Sequence, residues 1–361
     1  MKSIAISIFI LLVFHTNLQA QNLENILAAG KEDASTYLEA YMQPIFKGLI
    51  YNLNGGWYHS GKTHKKYGFD ITISANASFV PQKEKTFVFN NLDYTVLELG
   101  GTNTSADLPS VMGQASTQRI DIKIPLDAAG NVIPVGSNIL PTKFKVTSFE
   151  TLNGIEDELP ISAVPAAMIQ VGLGLPSKTD IKLRFVPTIN ATEDVAFNLF
   201  GVGLQHNLLQ HFSIANRVPL LDLSILGAFT TSTTIYAPKD SSTGINQEST
   251  IKINAYTAQL VGNFDLKIIS FYVGLGYTAG NASMQVKGDY TYTYNFENLI
   301  GVPLGNSITE KFHDPIDLNY DLSSVKGTIG ARLNLAWFKI FADYSFQDYN
   351  TANVGISLSF R

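Results

Sequence analysis

Apolar and polar side chains alternate along the stretch Lys326–Arg361 with a period of two, which is the side-chain spacing of a β-strand. Leu333 and Ile356 fall on the apolar face of this pattern, while Arg332 and Asp343 fall on the polar face. A transmembrane β-barrel presents an apolar face to lipid and a polar face to its lumen. The alternation therefore predicts strands that cross a membrane.

The same alternation recurs in earlier parts of the chain and predicts most of the fold. The earlier predicted strands are Tyr67–Val80, Thr86–Gly100, Thr117–Ile124, Ser162–Leu175, Ile181–Thr188, Val195–Gln210, Leu220–Ile235, Lys252–Leu266 and Ser270–Ser283. Together with three at the C-terminus they predict an all-β fold with a short N-terminal helical segment. The barrel is expected to be antiparallel, with about 12 strands in a range of about 10 to 14. Lys143–Phe149 indicates one further hairpin.

Connection lengths predict which ends of the strands lie together. Short turns at Pro176–Thr179, Lys267–Ile269 and Trp337–Lys339 fall at one end, as expected for the periplasmic side of a barrel. Longer polar connections, including Pro125–Pro160, fall at the other end. The polar stretch Gly101–Ser116 is the exception, because this register places it at the short-turn end.

Apolar residues spaced by three and four predict a helix before the first strand. Its apolar stripe comprises Leu38, Tyr41, Ile45 and Phe46. Such a stripe has to be buried, and the segment is predicted to fold into the lumen as a plug. A periplasmic partner protein is the alternative. The predicted domains are a signal peptide at 1–20, the N-terminal helical segment at 21–66, and the barrel at 67–361.

The start of the chain predicts export. Lys2 precedes the apolar run Ile4–Phe14, and Ala20 ends a plausible cleavage site, so Met1–Ala20 is typical of a secretory signal. The chain contains no cysteine, which excludes a thiolate metal site and a disulfide framework. The predicted location is the bacterial outer membrane.

Composition supports a membrane barrel and excludes some partners. Hydrophobic residues make up 45% of the chain and charged residues only 15%, against about a quarter in soluble domains. The formal net charge of −5 argues against nucleic acid as a partner. The expected partners are the lipid bilayer and the barrel-assembly machinery, which would read the terminal Phe360. A hydrophobic small molecule is a further expected partner.

Charged residues on the polar faces are the candidate functional residues. They are expected to face the lumen, either pairing with one another and with the plug, which is favoured, or binding an anionic head group. These residues are Lys182, Arg184, Asp222, Asp265, Lys326, Arg332 and Asp343.

No metal site, cofactor or enzyme is predicted. His206 and His211 are spaced by five residues with no carboxylate close in sequence, which argues against a metal site. A Ser-containing nucleophile elbow is absent from the sequence, and the chain is therefore predicted not to be an enzyme.

Four sequence elements carry a resemblance to known proteins. They are VGLGLPSKTDIKLRFVPT at Val171–Thr188, FGVGLQHNLLQHF at Phe200–Phe212, Gly55-Gly56-Trp57, and Gly68-Phe69-Asp70. With them the chain resembles an uncharacterised family of bacterial outer-membrane β-barrels. In layout it is more distantly similar to the long-chain fatty-acid transporter barrels. That resemblance implies an N-terminal plug and passage of hydrophobic molecules, and it transfers no ligand residue.

Three functions remain open from the sequence. The first is a channel or transporter for small hydrophobic or amphipathic compounds, gated by the N-terminal segment. The second is a structural or adhesion barrel that acts through its outer loops. The third is an outer-membrane lipid-modifying enzyme. A solved lumen discriminates the first two, since an apolar pocket with an opening favours transport and a filled lumen favours a structural role.

Overall fold

The computed structural model describes residues 25–127, 133, 143–212, 220–238, 244–297 and 303–360. The predicted signal peptide at 1–20 lies outside these residues. The described part contains one long helix, α1 (Lys31–Leu53). Its strands are β1 (Phe69–Phe79), β2 (Thr86–Asn90), β3 (Leu97–Leu99), β4 (Ser105–Pro109), β5 (Arg119–Leu126), β6 (Lys143–Glu150), β7 (Ala163–Leu175), β8 (Thr179–Asn190), β9 (Val195–Asn207), β10 (Leu221–Tyr236), β11 (Gly244–Asp265), β12 (Ile269–Glu297), β13 (Pro303–His313), β14 (Ile316–Leu335), β15 (Phe338–Phe346) and β16 (Thr351–Phe360).

Ten of these strands close into an antiparallel ring. The hydrogen-bonded order is β11-β10-β9-β8-β7-β1-β16-β15-β14-β12, and pairing of β11 with β12 closes it. The first and last strands are neighbours, with Phe69 opposite Phe360. Strand β13 continues the line of β14 along the far end of β12. The predicted antiparallel barrel is confirmed, and ten strands is the lower end of the predicted range.

Two runs predicted as barrel strands are not part of the ring. Thr86–Gly100 and Thr117–Ile124 contribute instead to β2, β3 and β5. Strand β2 pairs with β4 in one small sheet, and β3, β5 and β6 form a second small sheet in that order. The first run is interrupted by the 3-10 turn Asn91–Asp93, and its strands have only five and three residues. A transmembrane strand needs about 9 to 11 residues. We call the described residues of 80–162 the dome.

The two faces of the ring differ in chemistry. On β1, the side chains of Ile71 and Ile73 point outward and are 43% and 52% exposed, whereas Thr72 and Ser74 point inward and are 1% and 4% exposed. The apolar side chains thus face out and the polar ones are buried, which is the reverse of a soluble barrel. The fold is that of a transmembrane β-barrel of the bacterial outer-membrane type.

Short turns and long connections lie at opposite ends of the ring. Residues 176–178, 266–268 and 336–337 join strands at the end where Phe69 and Phe360 stack with ring centroids 5.0 Å apart. The dome joins β1 to β7 at the other end, so Gly101–Ser116 lies there as well. Its predicted place at the short-turn end was wrong, because that register counts two dome runs as membrane strands.

Helix α1 lies between the dome and the long-connection end of the ring. It packs on the ring strands β1, β7, β11, β12 and β14. The buried carboxylate of Asp33 accepts hydrogen bonds from the main-chain N–H groups of Thr95, Val96 and Leu97, which fastens the dome to the start of the helix. No helix in the described residues is long and apolar enough to cross a bilayer.

If the outer face meets lipid, an arginine there is costly. We expect Ile73→Arg to lower the free energy of unfolding by about 2 to 4 kcal/mol, since the residue lies within the membrane band of β1. The control is Ile245→Arg, at a 69% exposed position near the far end of the long strand β11, where we expect a change of about 0 to 1 kcal/mol. The measurement is urea unfolding in lipid vesicles. Equal costs at both positions would contradict a lipid-facing ring.

Candidate functional site

The segment that follows α1, residues 54–66, runs through the inside of the ring. Its side chains and main chain contact inward-facing residues of strands all around the ring. Examples are Trp57 with β8 and β9, Tyr58 with β11 and β12, His59 with β1, β14 and β15, and His64 with β8 and β16. A segment that meets opposite walls of a closed ring lies within it. We call residues 54–66 the lumen segment.

Arg184 binds the end of α1 from the wall of the lumen. Its guanidinium is fully buried and donates hydrogen bonds to the carbonyl oxygens of Leu53 at 2.9 Å and Gly55 at 2.7 Å. It also donates to the side chain of Gln170 at 3.1 Å and lies 3.8 Å from the ring centroid of Trp57. Every face of this cation is thus occupied by the lumen segment or its neighbours.

Two lysines of the barrel wall bind neighbouring main-chain carbonyls. Lys326 donates to the carbonyl oxygen of Asn54 at 3.3 Å, and Lys182 donates to that of Trp57 at 2.7 Å. Both lysines are buried. With Arg184 they form what we call the cation lock, in which three charges from β8 and β14 hold main-chain carbonyls of residues 53–57.

The cation lock explains how three charges are tolerated inside the barrel. None of the three makes a salt bridge with a carboxylate of the described residues. The last turn of α1 leaves carbonyl groups without partners in the helix and carries the negative end of the helix dipole, yet it contains no basic residue of its own. The barrel wall supplies the missing positive charges.

Polar contacts continue toward the short-turn end. Asp70 accepts a hydrogen bond from His59 Nε2 at 3.1 Å, while Arg332 donates to His59 Nδ1 at 3.0 Å, which fixes a neutral tautomer of His59 with its proton on Nε2. Asp180 accepts from the main chain and ring of His64 at 2.9 and 3.0 Å. These residues line a small polar cavity inside the ring.

The remaining predicted lumen charges also lie on the inner face. Asp343 accepts hydrogen bonds from Tyr272 at 2.9 Å and Asn353 at 2.7 Å. Asp265 is 3.3 Å from Lys62 of the lumen segment, and Asp222 accepts from the side chain of Asn207 at 3.0 Å. All seven charged candidates therefore have partners in the barrel wall or the lumen segment. Any binding role for them remains a proposal.

The predicted plug at 21–66 includes the lumen segment, but the prediction assigned its buried contacts to the helical stripe alone. Residues 52–66 are turn-rich and polar in sequence, yet the rings of Trp57 and Tyr58 are buried in an apolar cluster inside the ring. The signal was present in the Gly-x-Gly runs of two strands. Gly201 and Gly203 leave room for the ring of Trp57, and Gly274 leaves room for the hydroxyl group of Tyr58.

The lumen next to the dome is apolar. Inward-facing residues here are Phe197 and Leu199 of β9, Ile253 of β11, Met284 of β12 and Leu318 of β14, all buried. Helix α1 faces them and leaves an apolar cavity that is partly open to solvent. We call this cavity the chamber. Its described lining residues are Met42, Ile45, Phe46, Leu49, Met112, Ile155, Ala163, Val164, Pro165, Ser232, Thr234, Ile251 and Ile253.

The predicted apolar stripe of α1 divides between the dome and the chamber. Tyr41 donates a hydrogen bond to the carbonyl of Asn153 at 2.7 Å in the dome, and Leu38 is buried in the same core. Burial also raises the pKa of the neighbouring Tyr37 to about 12, which indicates a dry interface. Ile45 and Phe46 line the chamber instead.

The wall beside the chamber is open between β7 and β8. The two strands pair only from Gln170 opposite Arg184 to Leu175 opposite Thr179, and no further pairing joins them toward the dome. Pro165 lies in the unpaired half of β7, and Pro187 lies in that of β8, where the pairing with β9 also shifts register. Proline lacks the N–H group that a strand ladder requires. We call this opening the β7–β8 gap.

The chamber lies against the half of β7 that is not paired with β8. Val164 is buried on the inner face of β7, its neighbour Pro165 belongs to the outer face, and both line the chamber. The other edge of β7 is paired with β1 from Ala163 to Leu173. The unpaired edge of β7 therefore lies beside the chamber. Outside it, Ile169 and Phe185 are 51% and 64% exposed.

The two histidines of the predicted short-turn rim lie in contact with each other. The Nε2 atoms of His206 and His211 are 2.9 Å apart, because β9 ends and a 3-10 turn brings His211 back. No group of three or more metal-binding side chains occurs among the described residues.

Fold and site together define a plugged outer-membrane β-barrel with an apolar chamber. The chain belongs to the DUF6588 family, a family of unknown function, whose model matches residues 1–360. This membership agrees with the resemblance to an uncharacterised barrel family. No curated protein matches the chain.

Several solved outer-membrane proteins are similar to the chain at low identity. Ail, the attachment invasion locus protein of Yersinia pestis, is 10% identical, with 82% of this chain and 100% of that chain covered and a TM-score of 0.25. The outer membrane protease OmpT from Escherichia coli is 9% identical, with coverages of 83% and 100% and a TM-score of 0.27. A Pseudomonas aeruginosa FadL homologue is 8% identical, with coverages of 82% and 89% and a TM-score of 0.20.

The exclusion of enzymes from the sequence was wrong. It rested on the absence of a nucleophile elbow, but a protease is among the barrels to which the chain is similar. The likeness itself does not make this chain a protease.

The cation lock predicts that one arginine holds the lumen segment. We expect Arg184→Met to cost about 1.5 to 3 kcal/mol for each charged hydrogen bond lost, and to speed hydrogen exchange of the amides of residues 53–58. The control is Arg119→Met, which removes an exposed guanidinium that donates to the carbonyl of Ser148 in the dome. Unchanged exchange in the Arg184 variant would contradict the lock.

The glycines facing Trp57 provide a steric test. A Cβ atom at Gly203 would lie 2.9 Å from the Trp57 ring, whereas one at Gly227 meets nothing within 4 Å. We expect Gly203→Val to displace the indole and change its fluorescence, with a loss of about 1 to 3 kcal/mol from overpacking. Gly227→Val should leave both properties unchanged. The spectra are recorded in a Trp337→Phe background, so that Trp57 is the single emitter.

Proposed function

We propose that this protein is an outer-membrane channel for small hydrophobic or amphipathic compounds, gated by its N-terminal segment. The observation that carries the proposal is the apolar chamber beside the β7–β8 gap. Apolar walls with a few polar groups are typical of a small-molecule site. An opening in the barrel wall gives such molecules a path to lipid.

The orientation follows from the two ends of the ring. Outer-membrane barrels have short periplasmic turns and longer external connections. We therefore place the short-turn end in the periplasm and the dome at the cell surface. In this orientation the chamber lies toward the outside and the polar layer of the lumen lies toward the periplasm. Residues 1–20 fit a signal peptide that directs the export this requires.

The chemistry of the two layers favours a sideways route. The cation lock and the layer around Asp70 fill the lumen on the periplasmic side with buried polar groups. A hydrophobic molecule gains nothing by entering this layer. Passage through the β7–β8 gap instead keeps it in apolar surroundings. Helix α1 forms one wall of the chamber, so its position controls the space available.

Closing the β7–β8 gap is expected to stop entry. The chain has no cysteine, so the pair Ile169→Cys with Phe185→Cys can be cross-linked cleanly beside the last paired residues of β7 and β8. The assay is uptake of the neutral dye N-phenyl-1-naphthylamine by intact Gram-negative cells that express the protein. We expect uptake to be faster than in cells without the protein, and to return to that background after cross-linking with a short bis-maleimide.

The matched control is the pair Ile73→Cys with Ile356→Cys. These outward-facing residues are directly opposite each other on the paired strands β1 and β16. Cross-linking there should leave dye uptake unchanged. Uptake that survives a closed β7–β8 gap would place the route elsewhere. Wild-type cells that take up dye no faster than the background would overturn the channel.

An adhesion role is the second candidate, and the length of three strands favours it. Strands β11, β12 and β14 have 22, 29 and 20 residues, against the roughly 9 to 11 that cross a membrane. With the dome they project a large surface beyond the bilayer. If expression leaves dye uptake at background but makes cells attach to a surface, and removal of residues 289–313 abolishes attachment, this second function replaces the first.

A further inference from the structure

We infer that the ligand of the chamber is an uncharged hydrophobic molecule, and that the chamber rejects the carboxylate form of a molecule of the same length. The inference rests on the proposed function, because it names the class of compound that the channel accepts. It narrows the earlier expectation of hydrophobic or amphipathic solutes and excludes ionised fatty acids at neutral pH.

The described lining residues of the chamber carry no charge. Of its thirteen described lining residues, eleven are apolar and two, Ser232 and Thr234, carry hydroxyl groups. These two are separated by one residue on β10 and therefore lie on the same face of the strand. The chamber thus has apolar walls and a single short hydroxyl row. Such a surface can accept or donate one or two neutral hydrogen bonds.

Two cations on the elements that carry lining residues are already paired. Lys47 of α1 is bound to Glu84 at 2.7 Å, and Lys85 of the dome is bound to Glu156. None of these four residues is among the described lining residues of the chamber. In the barrel wall, Arg184 and Lys326 already donate hydrogen bonds to the carbonyl oxygens of residues 53–55. A carboxylate that entered the chamber would find no counter-ion among the described lining residues.

Burying an unpaired carboxylate is strongly unfavourable, and such a group takes up a proton instead. An acid would therefore enter the chamber only in its neutral form. An alcohol, a ketone or a hydrocarbon avoids this cost. A hydroxyl group on the ligand can bond to Ser232 or Thr234, which satisfies its one donor.

The experiment compares 1-decanol with decanoate, which share a ten-carbon chain and differ in charge. Each displaces N-phenyl-1-naphthylamine from the protein in lipid nanodiscs at pH 7.5 and at pH 4. Empty nanodiscs and the variant Leu49→Trp, which fills the chamber with a larger side chain, give the background. At pH 7.5 we expect half of the bound dye to be displaced only at a decanoate concentration about tenfold or more above that needed for decanol.

Lowering the pH should remove this difference. The ordinary pKa of a carboxyl group is about 4 to 5, so the acid becomes neutral as the pH falls through that range, while decanol stays neutral throughout. After subtraction of the empty-nanodisc background, displacement of the dye by decanoate at pH 4 should thus approach displacement by decanol. Displacement by decanol should not change.

A charge placed in the chamber should reverse the preference. Ser232→Lys adds an ammonium group to the wall, and Ser232→Met adds a side chain of similar length without charge. At pH 7.5 we expect the apparent affinity for decanoate to rise about tenfold or more in the lysine variant and to stay unchanged in the methionine variant. Assembly of each variant is checked by heat-modified migration in a gel. If the lysine variant fails to assemble, the pH comparison on the wild type decides alone.

The outcomes separate this inference from the proposed function. Equal displacement by decanol and decanoate at pH 7.5 overturns the inference and leaves the channel in place. Binding of the dye that does not exceed that of the Leu49→Trp variant and empty nanodiscs overturns the chamber as a binding site, and the inference fails with it.

Discussion

The fold depends on the contact between three buried cations of the barrel wall and the main-chain carbonyls at the end of α1. Arg184 and Lys326 come from strands far apart around the ring, and both bind within residues 53–55. The charges need a partner because they cannot face lipid. The helix end needs positive charge because its last carbonyls have no partners within the helix and its last turn contains no basic residue. Each side thus meets a requirement of the other, and the contact fixes where α1 ends and where the lumen segment begins.

That contact also divides the lumen into two chemistries. On the short-turn side, charges, amides and hydroxyls of the wall are buried against the lumen segment, together with a small apolar cluster around Trp57 and Tyr58. On the dome side, the wall is apolar and α1 offers an apolar face to it. A polar plug and an apolar chamber could not exchange places, because the cations would then lose the carbonyls that compensate them. The chamber is therefore confined to the end of the barrel where β7 and β8 have parted.

Most of the ring could be predicted from the sequence, because alternation sustained over ten or more residues is rarely produced by anything except a long strand. The prediction from alternation failed for Thr86–Gly100. There, two short strands of separate small sheets produce the same alternation over a shorter length. Alternation also placed Lys182, Arg184 and Lys326 on the polar face, where the structure has them. Their partners could not be predicted, since a main-chain carbonyl has no signature in the sequence. The β7–β8 gap could not be predicted either, although two prolines, one on each strand, weaken pairing there.

The path of the N-terminal segment separates the part that would gate the chamber from the part that fills the polar layer. Helix α1 begins in the dome, its end is held at the cation lock, and the lumen segment then descends to Gly68 at the short-turn end, where β1 starts. Loss of α1 alone would thus remove a wall of the chamber but leave residues 54–66 inside the polar layer. In the proposed channel, axial leak and access to the chamber would therefore depend on different parts of one segment. Movement of α1 would change the space in the chamber, while the cation lock would hold residues 53–57 in place.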